Sequence, residues 1–216
     1  FCRLMATFAQ IKSVMGKRFI AFLWLLLLSA AVVVAADRRF TLVIDAGHGG
    51  NDAGARGKIS KEKNINLSVA LAFGRYVERN CPDVKVVYTR KTDVFVPLHE
   101  RANIANRAKA DLFVSIHTNA LPRGKVARGM ETYTLGMHRA ADNLDVAKRE
   151  NSVILFESDY KQHYEGFDPN SSESYIMFEF LQDRNMAQSV ELARLVQRRT
   201  CAETGRADKG VKQAGF

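Results

Sequence analysis

The chain has three cysteines in 216 residues, no internal repeat, no low-complexity linker and no basic block interleaved with aromatic residues. Each shortage removes a class of protein. Cys2, Cys81 and Cys201 do not have the spacing of a thiolate metal site. Cys81 and Cys201 either pair in an oxidising compartment or stay free, and the residues alone leave both open. Without repeats or linkers there is no seam at which to divide the chain, and its length suits one α/β domain with a proper core. Without a basic, aromatic-laced surface, nucleic acid is not the expected partner. The formal charge of +9 drops to +5 once residues 1–36 are set aside, because they contain Arg3, Lys12, Lys17 and Arg18 and no acid. That modest excess suits an anionic polymer.

Residues 19–36 (FIAFLWLLLLSAAVVVAA) form the one long apolar run. It follows Lys17 and Arg18 and ends in small residues before Asp37, so residues 1–36 read as a secretory signal peptide cleaved after about Ala36. Met15 or Met5 is the plausible true start, with leader sequence upstream of it. A retained anchor is the alternative, since eighteen apolar residues just span a bilayer. No cysteine follows the run, which argues against a lipoprotein. On this reading the membrane is met only through the signal peptide, and the mature chain is periplasmic or otherwise secreted. Phe1 is not an initiator and residues 211–216 stop where a further strand is expected, so the chain reads as a fragment.

The remainder is organised around residues 41–50, TLVIDAGHGG. Thr41 to Ile44 make a short, continuous β-type run, as expected of a strand covered on both faces. Gly47, Gly49 and Gly50 stop it and let the backbone present His48 at the strand's carboxyl end. Sites in open α/β sheets lie there. Ser60 is a good N-cap for an amphipathic helix over 61–80 with Ile65, Val69, Phe73, Tyr76 and Val77 on its buried face. A strand over 84–89 follows, then a helix from Pro97 to about 109 that buries Leu98, Ala102, Ile104, Ala105 and Ala108, then a strand over 112–116 that delivers His117. Further on, the pattern predicts a strand over 130–135, a short helix over 142–155, a long irregular segment to about 181 and a strong helix over 184–203. The alternation predicts an α/β fold: a mostly parallel, twisted sheet with helices on both faces, in a single domain, its C-terminal strand missing.

Two histidines at strand ends, His48 and His117, and Glu62 at the opening of the first helix can reach one point above such a sheet. Two imidazoles and a carboxylate leave one position of a tetrahedral ion open to water, the ligand set of catalytic zinc hydrolases. Each residue also has a plainer reading: a turn histidine, or an acid favourable to a helix dipole. His117 is harder to explain that way, because an unpaired imidazole at the end of an apolar strand is costly to bury. His99, His138 and His163 read as surface residues.

DAGHGG with the following Asp52 and Gly54, the glutamate of KEKNINL, Thr89-Arg90, SIHTNA, GMETY at 129–133, LARLVQ at 192–197 and RADKGVKQAGF at 206–216 together resemble the zinc-dependent N-acetylmuramoyl-L-alanine amidases. The resemblance spans 41–216, and RADKGVKQAGF corresponds to that family's closing helix and loop. It implies a catalytic domain over 37–216, hydrolysis of the amide between N-acetylmuramic acid and L-alanine in peptidoglycan, and Zn2+ held by His48, Glu62 and His117. It places the general-base glutamate beyond Phe216, in a part the chain lacks. It also implies a regulatory insertion at about 138–180, in which a helix covers the zinc until an activator protein displaces residues 140–170, with Glu150 as the autoinhibitory candidate. Asn119, Arg90 and Asp45 are candidates for touching substrate or supporting the ligands, structural pairing being the favoured role of Arg90. Daughter-cell separation is the expected process. The rival readings are an inert peptidoglycan-binding module and a zinc peptidase acting within the stem peptide.

Overall fold

The computed structural model describes residues 39–119, 128–136, 141–164, 167–168 and 185–215. The apolar leader and most of the irregular segment lie outside these, and among the described residues no helix is long and apolar enough to cross a membrane.

Strand β1 (Phe40–Ala46) is buried from Thr41 onward, as its unbroken apolar sequence requires. It lies between β2 (Val84–Tyr88) and β3 (Leu112–Ile116) and pairs in parallel with both, Ile44 standing opposite Tyr88 on one side and Val114 on the other. Side chains alternate across the sheet. Leu42, Ile44 and Ala46 point into a core with Ala70 and Val77 of helix α1 (Glu62–Asn80), framed by Phe73, Val86, Val114 and Ile116. On the opposite face Asp45 meets Arg101 of helix α2 (Leu98–Arg107). Helices therefore cover both faces.

A second sheet pairs β4 (Met130–Leu135) in parallel with β5 (Asp208–Ala214), and helix α5 (Met186–Thr204) packs on it. Helix α3 (Ala141–Asn151) runs into a tight 3-10 turn (Ser152–Phe156) and then a single helical turn, α4 (Tyr160–His163). Ala147 of α3 is buried against Ala214 of β5, and the Asn151 side-chain amide donates to the Gly215 carbonyl at 2.9 Å.

The α/β class, the parallel pairing and the strand positions agree with the sequence pattern; five details do not. Helix α2 buries Arg101 alone, while Ala102 is exposed and Leu98, Ile104 and Ala105 are only half-buried. The strands form two sheets among the described residues rather than one. Residues 208–214, expected as a closing loop, are a strand. Helix α1 starts at Glu62 with no side-chain cap, so Ser60 does not cap it. Its buried face is Glu62, Asn66, Ala70, Gly74 and Val77, whereas Ile65, Val69 and Tyr76 are exposed. Small residues bring α1 close to the sheet and polar ones tie it to the loops above, which apolar periodicity does not register. Cys81 and Cys201 are free.

Candidate metal centre

The loop after β1 is built around a buried polar base. Asp45 accepts from Arg101 Nη1 at 2.6 Å, Thr89 Oγ1 at 2.6 Å and Ser115 Oγ at 2.7 Å. Burial opposes its charge, but Arg101 and these hydrogen bonds outweigh that and hold its carboxyl below the usual range. Arg101 also donates to the carbonyls of Ala46, His48 and Val96. Arg90 donates to the carbonyls of Ala46, Gly47, Lys63 and Thr92. Two guanidiniums thus satisfy the carbonyls of a chain that leaves the sheet and cannot pair as a strand. The partners of Arg90 are these carbonyls, and the partner of Asp45 is Arg101.

Above that base His48 sits at φ 61, a left-handed conformation unusual for a residue with a Cβ. Its Nδ1 lies 2.7 Å from Asp52 Oδ2, so the ring donates there and turns its Nε2 inward. Glu62 accepts from the Thr118 amide at 2.7 Å and the Ala55 amide at 2.9 Å, which fixes both oxygens. His117 arrives from the end of β3 with its ring 4.9 Å from that of His48 and edge-on to it. Glu150, from α3, completes the group: its Oε2 is 3.3 Å from His48 Nε2 and 3.0 Å from His117 Nδ1. Glu62 stands 3.4 Å from each ring.

The donor atoms of His48, Glu62, His117 and Glu150 all lie within 4.8 Å of one another. His48 Nε2 and Glu150 Oε2 are buried and lack a hydrogen-bond partner of acceptable geometry, despite their proximity. Buried polar atoms seldom stay unpaired unless something else satisfies them. Two glycines keep the space clear. A Cβ at Gly47 would collide with the His117 ring, and one at Gly54 (φ +61) would lie 2.6 Å from His48 Cδ2 and 2.9 Å from Glu62 Oε2. The donors, their convergence and the unpaired atoms fit a divalent cation.

Charge agrees. Burial opposes protonation of His48, but Asp52, Glu150 and Glu62 overcome it and raise its pKa to about 11. His117 goes to about 9 against the same opposition, through Glu150 and Glu62. The imidazoles in turn pull Glu150 down to about 2 and Glu62 lower still, although burial works the other way. Carboxylates that hold protons so firmly on two rings would hold a cation in their place.

Of the sequence candidates, the structure brings together His48, Glu62, His117 and Glu150. Asp45 lies beneath them, out of reach of substrate, and Asn119 is exposed just past His117. Asp52 and Arg101, which hold His48 and its loop, lie outside the sequence candidates. A carboxylate four residues beyond a glycine-flanked histidine was the available signal for Asp52; for Arg101 there was none, since it lies on a helix expected to bury only apolar side chains. His163 is exposed, whereas His99 is half-buried: it pairs with Glu157, and its ring stacks on that of His163. His138 lies outside the described residues.

Two imidazoles and two carboxylates at the carboxyl edge of a parallel sheet define a candidate metal centre of an α/β enzyme. Residues 42–216 match the profile of the N-acetylmuramoyl-L-alanine amidase family, and the chain belongs to this family of hydrolases. It is 30% identical over 186 residues to N-acetylmuramoyl-L-alanine amidase AmiC of Escherichia coli O6:H1, covering 83% of this chain and 42% of that protein. It is 48% identical over 95 residues to an endolysin of Bacillus phage SPP1, covering 42% of this chain and 32% of the endolysin. The chain therefore spans well under two thirds of these relatives. Among solved structures it is similar to an N-acetylmuramoyl-L-alanine amidase from Clostridium difficile 630, with TM-score 0.55 and 28% identity over 82% of this chain and 70% of the other.

Proposed function

We propose that the protein is a secreted, zinc-dependent N-acetylmuramoyl-L-alanine amidase of peptidoglycan. His48, Glu62 and His117 hold the ion, and the bond cut joins the lactyl group of N-acetylmuramic acid to L-alanine. The observation that carries this reading is the pair of unpartnered, buried atoms, His48 Nε2 and Glu150 Oε2, inside a convergent donor group. Zinc bound there would polarise the amide carbonyl and activate water at neutral pH. The chain's own residues position the ligands. Asp52 fixes the His48 tautomer, the amides of Ala55 and Thr118 aim Glu62, and the Arg90 and Arg101 guanidiniums hold the loop rigid beneath them. Asn119, exposed just past His117, would meet the glycan or stem peptide.

Residues 1–36 serve as the signal peptide that delivers the enzyme to the periplasm or cell wall, and 37–216 form its catalytic domain with a regulatory insertion at about 138–180. Glu150 fills the position that substrate needs, so the resting enzyme is held inactive. An activator protein displacing residues 140–170 would release it, a control suited to daughter-cell separation.

Purified sacculi incubated with the protein expressed from its complete reading frame should release intact stem peptides with a free L-alanine amino terminus, and a zinc chelator should abolish release. Peptides cut internally would identify a peptidase. No release even after deletion of residues 140–170 would identify a binding module.

A further inference from the structure

Helix α3 brings Glu150 to the cluster, but the segment that carries it is fastened at a second place. After the 3-10 turn, Glu157 buries its carboxylate completely against the start of α2, with 0% of the side chain exposed. Its Oε1 accepts from the Leu98 amide at 2.7 Å and its Oε2 lies 2.9 Å from His99 Nδ1. Leu98 opens α2, and the N-cap position, Pro97, has no side-chain bond to offer. The first amides of a helix have no partner within it, and its N-terminus favours an anion. Glu157, 59 positions away in sequence, supplies both the acceptor and the charge.

The contact is reinforced by packing. The His99 and His163 rings stack with centroids 3.9 Å apart and an interplanar angle of 14°, and Tyr164 sets its edge to His99 at 6.4 Å. Asp159 holds His163 in place at 3.1 Å. His99, Asp159 and His163 have donor atoms close enough to suggest a second cation. Near-parallel rings, however, direct their in-plane lone pairs along parallel planes rather than at one point. This group fastens a segment rather than a metal.

We propose that Glu157 is a positioning residue for Glu150: it docks the inserted segment on the N-terminus of α2, and so keeps the Glu150 carboxylate in the metal centre. The inference rests on the reading of Glu150 as the group that fills the substrate position. The geometry joins the two places. The latch grips Leu98 and His99, and Arg101, within the same helical turn, donates to the His48 carbonyl at 3.1 Å.

The test uses the protein from its complete reading frame as wild type, Glu150→Ala, Glu157→Ala, Glu157→Gln and the double alanine variant. Amide hydrogen exchange is followed in residues 141–151 and, as an internal control, in 62–80, alongside turnover of sacculi without an activator. Glu157→Ala should speed exchange in 141–151 by about tenfold or more, because a buried charged acceptor is lost, and leave 62–80 unchanged. Turnover should rise with Glu157→Ala and with Glu150→Ala, and the double variant should not exceed Glu150→Ala. Should Glu157→Ala also speed 62–80, the milder Glu157→Gln decides, with a smaller acceleration confined to 141–151. Exchange in 141–151 at the wild-type rate in both Glu157 variants overturns the latch, even if Glu150→Ala raises turnover. Turnover unchanged or abolished by Glu150→Ala instead overturns the reading of Glu150, and the exchange data still decide what Glu157 holds.

Discussion

Replacing His48 with alanine is expected to lower zinc affinity by more than about 100-fold, the upper end of what loss of a mere supporting partner costs, and to reduce sacculus digestion to background. His48 is the most constrained donor in the group. Its Nδ1 is committed to Asp52, which leaves the buried Nε2 as the one ring nitrogen it can offer an ion. The variant has a second cost. Without the imidazole, the carboxylates of Asp52, Glu62 and Glu150 lose the group that separates them. Competition with a chromophoric chelator measures the affinity, and thermal unfolding of the metal-free protein measures the charge effect. Affinity within a few-fold of wild type would remove His48 from the ligand set.

Arg101→Leu is the largest destabilisation expected outside the metal group, about 3–5 kcal/mol, because removing one partner of a buried ion pair leaves the other charge uncompensated. Asp45 would retain Thr89 and Ser115 and the Ala46 carbonyl would retain Arg90, but the carbonyls of His48 and Val96 would lose the Arg101 guanidinium. Asp45→Asn combined with Arg101→Leu should recover part of the loss, since it removes the stranded charge. Acid unfolding supplies a further signature. The folded Asp45 carboxyl is held below its unfolded value of about 3.9, so its contribution is complete above that value. It is lost as pH falls through the lower folded value. Urea titrations of wild type and Arg101→Leu should therefore converge as the pH falls below about 4; a constant gap would mean that Arg101 acts through the carbonyls alone.

The first half of the fold was legible because its punctuation is strong. An apolar strand ending in Gly47-His48-Gly49-Gly50, a second strand opened by Pro82-Asp83, and a third delivering His117 fall where the pattern places them. His48 and His117 were readable as site residues from their positions at strand ends, and Glu62 from its place in the first helical turn. The packing beneath them was not. On α1 the exposed Ile65, Val69 and Tyr76 outweigh the buried Ala70 and Gly74 in any apolar count, although the small residues are what let the helix approach the sheet. On α2 the one buried side chain is Arg101, whose partners other than Val96 lie 53 to 56 positions away in sequence. Glu150 was visible only through resemblance, because a glutamate in a polar helix carries no local sign of its destination. Glu157 had no sign at all: capping a helix 59 residues upstream is a tertiary event.

Zinc K-edge X-ray absorption of the zinc-loaded protein from its complete reading frame reads the proposed ligand set. The expected spectrum has a shell of nitrogen and oxygen donors at about 2.0–2.1 Å, with multiple scattering from two imidazoles that falls to one in His48→Ala. Sulfur in the shell, implicating Cys81 or Cys201, or imidazole scattering unchanged by His48→Ala, would contradict it.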